Sequence, residues 1–210
     1  MYLPLLIFAS LALLTWRLTR SSYNQLAHFL NTGSDNTAVT HESELERLID
    51  SATRYYSQGK WIAAEKAYLK VLKLDHKNLP AYRRLALIYS HLHNYNDAIE
   101  CLEMVMKKET TAADLQNYAT MLFHIKKSEK AIIALQQALE LEPTIARFTA
   151  LAKLYKLQNE PQRQLEILLA AHEFDTQDQD SIKLIVRWYT ENNETDQAER
   201  WRAKLIEKSS

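Results

Sequence analysis

Three stretches of this chain share one pattern, a helix in which alanines stand among longer apolar side chains. They are WIAAEKAYLKVLKLD (61–75), YNDAIECLEMVMKKE (95–109) and SEKAIIALQQALELEP (128–143). A second series of small residues recurs at intervals of 33 or 34 residues: Ala52, Ala86, Ala119, Ala152 and Val186. A period of this length is typical of a helical hairpin repeated along the chain. We therefore expect about five such hairpins.

The repetition also predicts where the core lies. One hairpin cannot bury its own apolar face, so each hairpin supplies a surface for the next. Small residues let helices approach closely where they cross, and the second helices carry them at Ala64, Ala98, Ala131 and Ala198, with Gln164 as the exception. Aromatic residues fill the gaps between hairpins, at Tyr55, Tyr89, Tyr155 and Tyr189, with Leu122 in the third hairpin. Only two glycines and four prolines occur, which favours helices joined by tight turns over a β-sheet fold.

The pattern resembles the tetratricopeptide repeat family. The first repeat carries the resemblance in Gly59, Trp61, Ala64, Tyr68 and Leu74. The next two carry it in Tyr82, Leu85, Ala86, Tyr89, Tyr95, Ala98, Leu115, Ala119, Ala131, Leu135, Ala138 and Pro143. The resemblance implies an all-α fold, a right-handed solenoid of about five helical hairpins, with repeats near 45–78, 79–111, 112–144, 145–178 and 179–208. Pro161 and Arg202 depart from it, because an aromatic residue is usual at both positions.

The amino-terminal segment has a different character. Residues 1–16 are apolar and uncharged, and a helix over residues 1–18 would reach about 27 Å, close to the hydrocarbon core of a bilayer. We predict a single transmembrane helix over 1–18, a juxtamembrane segment and linker over 19–41, and the repeat domain over 42–210. Arg17 and Arg20 follow the span, so the positive-inside rule places the repeat domain in the cytoplasm.

A binding surface follows from the resemblance, because the first helices of such hairpins line a concave groove. Register places these candidate residues in it: Tyr56, Arg83, Leu87, His91, Gln116, Phe123, His124, Lys153, Lys156, Lys183 and Arg187. Five cations outnumber the three carboxylates at the groove positions, and apolar side chains lie between them. A basic groove with an apolar floor suits an acidic peptide. We therefore predict a protein or peptide partner.

Several functional classes are disfavoured. The 26 basic and 26 acidic residues cancel, so no basic excess exists for a nucleic-acid partner. His91 and His124 share one repeat position and could face each other, but two imidazoles without a carboxylate or thiolate make a poor zinc site. The residues that some family members use to hold a chaperone's carboxyl terminus are missing. We expect no metal, no cofactor, no small-molecule substrate and no enzymatic activity.

These observations predict a membrane-anchored adaptor, a single-pass protein that gathers protein partners through its groove. An exported, periplasmic peptide-holding chaperone or envelope-assembly factor is the alternative, and a cleaved signal peptide would favour it. The positively charged residues that precede a signal's apolar run are absent here. A third interpretation is an oligomerising end face around Trp188 and Trp201.

Overall fold

The structure, a computed structural model, describes residues 42–207 and shows ten helices and no strand within that range. Helix α1 occupies residues 42–57. The others are α2 (Trp61–Leu74), α3 (Leu79–His91), α4 (Tyr95–Met106), α5 (Ala112–His124), α6 (Ser128–Leu141), α7 (Ile145–Leu157), α8 (Pro161–Phe174), α9 (Gln179–Glu191) and α10 (Thr195–Glu207). The all-α prediction is confirmed for this part of the chain.

The chain divides into two units, residues 1–51 and residues 52–210. In the first unit the structure describes residues 42–51, which are helical. The predicted membrane anchor (1–18) and linker (19–41) lie outside the described residues. Across residues 42–207, every helix is too short or too polar to cross a membrane.

The turn inside each of the five hairpins has the same backbone conformation. One residue per turn has a φ between 59° and 67°: Gly59, His93, Lys126, Asn159 and Asn193. The N–H of the following residue donates to the carbonyl oxygen five residues before it, as Lys127 does to Leu122 at 2.9 Å. Such a left-handed residue after a helix satisfies the last free carbonyls. The same turn therefore ends every first helix, and the repeat in the sequence corresponds to a structural unit.

The first helices of the later hairpins begin at a side chain that caps them. Asn78, Thr111, Thr144 and Asp178 each accept a hydrogen bond from the backbone N–H three residues on. Thr111 forms a full capping box, because the Asp114 carboxylate also accepts from the Thr111 N–H. Helices α2, α4, α6 and α8 have no side-chain cap and start directly after the left-handed turn. Side chains therefore set the start of one helix of a hairpin, and the turn sets the start of the other.

The core follows the predicted register. The first-helix alanines Ala52, Ala86, Ala119 and Ala152 are at most 2% exposed, as are Ala64, Ala98, Ala131 and Ala198 in the second helices. Val186 and Gln164, the exceptions in the series, are half-buried. The largest cluster joins α3 to α7 through leucines such as Leu102, Leu122 and Leu151. Within the second unit each helix packs on the next, so hairpins stack in chain order.

Candidate functional site

Two adjoining clefts lie on the surface formed by the first helices. The α5–α7 cleft measures about 270 Å³ and the α7–α9 cleft about 350 Å³. Lys153 and Leu157 line both, so the clefts meet along α7. Six predicted groove residues line one or both of them: Gln116, Phe123, His124, Lys153, Lys156 and Arg187. Tyr56, Arg83, Leu87, His91 and Lys183 lie outside both clefts.

The α7–α9 cleft has an apolar floor. Ala152 and Leu168 lie at its base. Helix α9 contributes Leu184 and Trp188, and Leu157 of α7 lies at the rim. Trp188 is 5% exposed, and its indole Nε1 donates to the Pro161 carbonyl at 3.0 Å. Because the ring is buried and held by this bond, Trp188 forms part of the floor. The interpretation of an exposed end face around Trp188 and Trp201 is therefore wrong for Trp188.

Charged side chains border the same cleft. The Lys156 ammonium lies 2.5 Å from one Glu191 carboxylate oxygen, and Arg187 Nε donates to the other at 2.8 Å. These two hydrogen bonds hold the pKa of Glu191 below its usual value. A third predicted groove cation, Lys183, pairs with Asp180 at 2.8 Å. Three of the five predicted cations thus have carboxylate partners in this half of the surface.

Lys153 differs from those three cations. It lies on α7 between the two clefts and is exposed. Among residues 42–207 its ammonium group has no ion pair or hydrogen bond. Leu157, one turn further along, is 59% exposed although it is a large apolar side chain. An uncompensated charge and an uncovered apolar surface therefore lie together.

The α5–α7 cleft is lined by apolar and uncharged polar side chains in addition to Lys153. Phe123 is half-buried, and Leu135 and Leu154 form the base of the cleft. Gln116 and His124 stand at its edge. No carboxylate belongs to the lining, so the positive charge of Lys153 is not offset there.

The two predicted groove histidines form ring-stacking contacts that the sequence analysis did not predict. His91 stacks on Trp61 with ring centroids 4.1 Å apart, and His124 stacks on Tyr95 at 4.3 Å. Each pair joins the start of a second helix to the end of the next repeat's first helix. The suggestion that His91 and His124 face each other is not what the structure shows, because each ring lies flat on an aromatic ring of the preceding repeat. The signal lay in the register, since both pairs are 29 or 30 residues apart.

Arg83 also has a partner that the predicted groove positions did not include. Its Nε donates to Asp114 at 2.9 Å, and its Nη2 donates to Glu109 at 2.6 Å. Asp114 is 3% exposed. Burial alone would raise the pKa of Asp114, but hydrogen bonds from Arg83 and Thr111 outweigh it and lower that pKa. Conversely, the bond to Asp114 raises the pKa of Arg83 above its usual value.

A similar link ties the next pair of repeats. Arg147 is 6% exposed, and its Nε donates to the Gln116 side-chain oxygen at 3.1 Å. The same guanidinium pairs with the Glu142 carboxylate at 3.0 Å and donates to the Glu142 carbonyl. Both links join residues 31 positions apart. They fix one first helix against the next, so Arg83 and Gln116 are occupied in holding repeats together.

The remaining candidates lie near the amino-terminal end of this surface. Tyr56 packs edge-on against Trp61 at 5.4 Å, and the Arg84 guanidinium lies 4.9 Å from the centre of the Tyr56 ring. Leu87 is half-buried on α3. The Tyr56 ring is therefore in contact with side chains of α2 and α3.

Side chains of the kinds that bind metals, and the Cys101 thiol, also lie outside the two clefts. Within residues 42–207, no group of three or more His, Cys, Asp or Glu side chains could hold a metal ion. Burial raises the pKa of the Cys101 thiol to about 12, so it stays protonated at neutral pH and is a poor nucleophile.

Profiles of the tetratricopeptide repeat family match the chain twice, over residues 67–100 and residues 115–145. No curated protein sequence matches it. The first stretch overlaps the predicted repeat 79–111, and the second covers most of the predicted repeat 112–144.

Solved structures with the same fold include MamA, which is 25% identical, with 78% of this chain and 91% of MamA covered and a TM-score of 0.68. YrrB, a protein of the same repeat class with an unusual peptide-binding site, is 20% identical over 77% of this chain and 84% of its own, with a TM-score of 0.61. PilF from Pseudomonas aeruginosa is 17% identical over 80% and 78%, with a TM-score of 0.63. The similarities to YrrB and PilF show that the fold is shared. The recurring turn, the buried alanines and the two profile matches together show that residues 52–207 contain tetratricopeptide repeats, which stack as helical hairpins in chain order.

Proposed function

We propose that this protein is a scaffold that binds a peptide segment of a partner protein along the two clefts on either side of α7. The observation that carries the proposal is the continuity of the clefts, which share Lys153 and Leu157. A solvent-exposed leucine beside a buried tryptophan floor is the kind of apolar surface that a partner covers. YrrB, with its peptide-binding site on the same fold, is in keeping with this proposal.

Peptide selection tests the proposal. A random peptide library displayed on phage is panned against the full-length chain in detergent micelles. It is panned in parallel against Leu157→Glu, which places a charge in both clefts without disturbing the core, because Leu157 is 59% exposed. Ile133→Glu is the matched control, since Ile133 is 54% exposed and lies on α6, outside both clefts.

We expect the wild type and Ile133→Glu to enrich the same peptides, and Leu157→Glu to lose them. Enrichment that is equal for all three proteins, or absent from all three, would contradict peptide binding in these clefts.

We further propose that the scaffold is anchored to a membrane by residues 1–18 with its repeats in the cytoplasm. The support is the uncharged apolar run and the two arginines that follow it. Protease accessibility of a carboxyl-terminal tag in intact cells and spheroplasts tests this, together with the mass of the mature amino terminus. Protection of the tag with Met1 retained is expected. Digestion, or a chain that starts beyond Trp16, would favour the exported chaperone instead.

A further inference from the structure

The five cations predicted for the groove differ in how their charge is used. Arg83 is bonded to Asp114 and Glu109, Lys183 to Asp180, and Lys156 and Arg187 share Glu191. In the part of the chain that the structure describes, Lys153 is the member of this set without a carboxylate partner. The positive charge still available to a ligand is therefore concentrated where the two clefts meet.

The surroundings of Lys153 limit what a ligand can be. The α5–α7 cleft has no carboxylate in its lining, and the α7–α9 cleft has only Glu191, which two other cations already engage. A ligand that spans both clefts must cross α7 and cover Lys153. Covering an ammonium group without pairing it costs free energy, because the group loses water and gains nothing in return. A purely apolar ligand is thus penalised at this point, and a carboxylate is favoured.

The geometry also sets the spacing of the ligand's apolar groups. Each cleft lies between neighbouring first helices, on opposite sides of α7. An extended chain advances about 3.3 Å per residue. Because successive side chains of an extended chain point to opposite faces, an apolar residue, an acidic residue and a second apolar residue at alternate positions would all face this surface.

We infer that the preferred ligand is an extended peptide in which an aspartate or glutamate lies between two large apolar residues, and that the Lys153 ammonium binds its carboxylate. One apolar side chain enters the α5–α7 cleft near Phe123, and the other enters the α7–α9 cleft above Trp188. This inference rests on the proposed function, since it names the chemistry of the peptide that the clefts hold.

The same selection tests the inference when the full-length Lys153→Gln variant is added. Lys130→Gln is its matched control, because Lys130 is an exposed lysine on α6 that lines neither cleft. We expect the wild type and Lys130→Gln to enrich peptides with an acidic residue between apolar ones. Lys153→Gln should keep the apolar preference and lose the acidic one.

Affinity measurements then separate a direct contact from a structural defect. A selected peptide and its copy with the acidic residue changed to the corresponding amide are titrated by fluorescence anisotropy. Lys153→Gln should weaken the acidic peptide about tenfold and the amide copy less than about twofold, as expected for one charge-assisted hydrogen bond. Equal weakening of both peptides would overturn the inference.

The outcomes of the selection distinguish this inference from the proposed function. If the wild type enriches peptides over Leu157→Glu but without an acidic preference, the inference is wrong and peptide binding stands. The inference is also wrong if an acidic preference persists in Lys153→Gln. If nothing is enriched over Leu157→Glu, the proposed function itself fails.

Discussion

The surface formed by the first helices is used differently at its two ends. Between α1 and α5, the side chains at the groove positions contact the neighbouring repeat: His91 stacks on Trp61, His124 on Tyr95, and Arg83 bonds to Asp114. Between α5 and α9 there are two open clefts. The same repeat positions can therefore join repeats or remain available to a ligand, depending on the partner residue one repeat away.

A single pair of positions shows how the difference arises. In the amino-terminal part, an aromatic ring begins the second helix and a histidine of the next repeat lies on it. In the fourth repeat the corresponding residue of the first helix is Leu157, and the preceding second helix begins at Ser128. Serine has no ring for the leucine to cover, so Leu157 stays 59% exposed and lines both clefts. Loss of one stacking partner therefore accompanies the opening of the two clefts.

The largest expected effect is a difference in stability between loss of the Arg83–Asp114 ion pair and loss of the Lys156–Glu191 ion pair. Arg83→Met leaves the Asp114 carboxylate buried without its partner and should lower the free energy of unfolding by about 2–3 kcal/mol. Lys156→Met, which removes a partner of the exposed Glu191, should cost less than about 0.5 kcal/mol. Urea unfolding followed by circular dichroism measures both. Similar costs for the two variants would break the comparison.

The aromatic stacks give the next effect. Trp61→Ala removes contacts with both Tyr56 and His91 and should cost about 2 kcal/mol, whereas Leu157→Ala should cost less than about 0.5 kcal/mol. A double-mutant cycle of Trp61→Ala with His91→Ala isolates the stack, and we expect a coupling of about 0.5–1 kcal/mol. Additive effects in that cycle would mean that the stacked rings do not join the repeats.

Acid should affect the amino-terminal part more. The folded pKa of Asp114 is lowered, so the stability it contributes is present above the unfolded value of about 4 and is lost as pH falls through the folded pKa. The free energy of unfolding, measured with urea at pH 7 and pH 3, should therefore fall less on acidification in Asp114→Asn than in the wild type. Glu191 shifts in the same direction, but it is exposed and screened, so Glu191→Gln should not change the pH dependence. A reversed order of the two variants would count against the account.

The hairpin turns have the same backbone conformation in both parts of the molecule. Substitutions in the turns therefore serve as a reference for the two parts. Lys126→Gly removes a Cβ from a left-handed backbone with a φ of 61° and should stabilise the protein by about 0.5–1 kcal/mol. Asn159→Gly should change stability less, because asparagine tolerates this conformation. Thermal unfolding measures both. Destabilisation by Lys126→Gly would show that its side chain has a role beyond the turn.

The smallest effect concerns the charges beside the α7–α9 cleft. Glu191→Gln releases Lys156 and Arg187 from their shared carboxylate, so an acid-bearing peptide should bind about two- to fivefold more tightly at low salt. The gain should disappear at high salt because exposed charges are screened. Arg83→Met, assayed where it is still folded, should leave the affinity unchanged. An unchanged affinity in Glu191→Gln would mean that the ligand does not approach these cations.

Much of the fold could be predicted from the sequence, because the alanine register reports backbone crossings that only small residues allow. Six of the eleven residues predicted for the groove line the clefts, and their role in binding stays a prediction. The partners of Arg83, His91 and Gln116 could not be predicted, because Asp114, Trp61 and Arg147 lie at repeat positions outside the groove set. Whether two side chains form an ion pair, a hydrogen bond or a ring contact depends on how far each reaches into the neighbouring repeat. The charges along one helix do not report that distance.

Trp188 illustrates the same limit. The sequence suggested an oligomerising end face around Trp188 and Trp201, yet the Trp188 indole donates to the Pro161 carbonyl and the ring forms part of the floor of a cleft. Pro161 stands where the family usually has an aromatic residue. The sequence shows this departure from the repeat pattern, but it does not show that the main-chain carbonyl at this position accepts the Trp188 hydrogen bond.

The central claim is that the surface between α5 and α9 holds the ligand, while the contacts between α1 and α5 hold the repeats together. Hydrogen–deuterium exchange of the full-length chain, with and without a selected peptide, tests it most directly. We predict slower exchange in Ile145–Leu157 and Gln179–Glu191 on binding, and no change in Leu79–His91. Protection of Leu79–His91 with no change in Ile145–Leu157 would contradict the account.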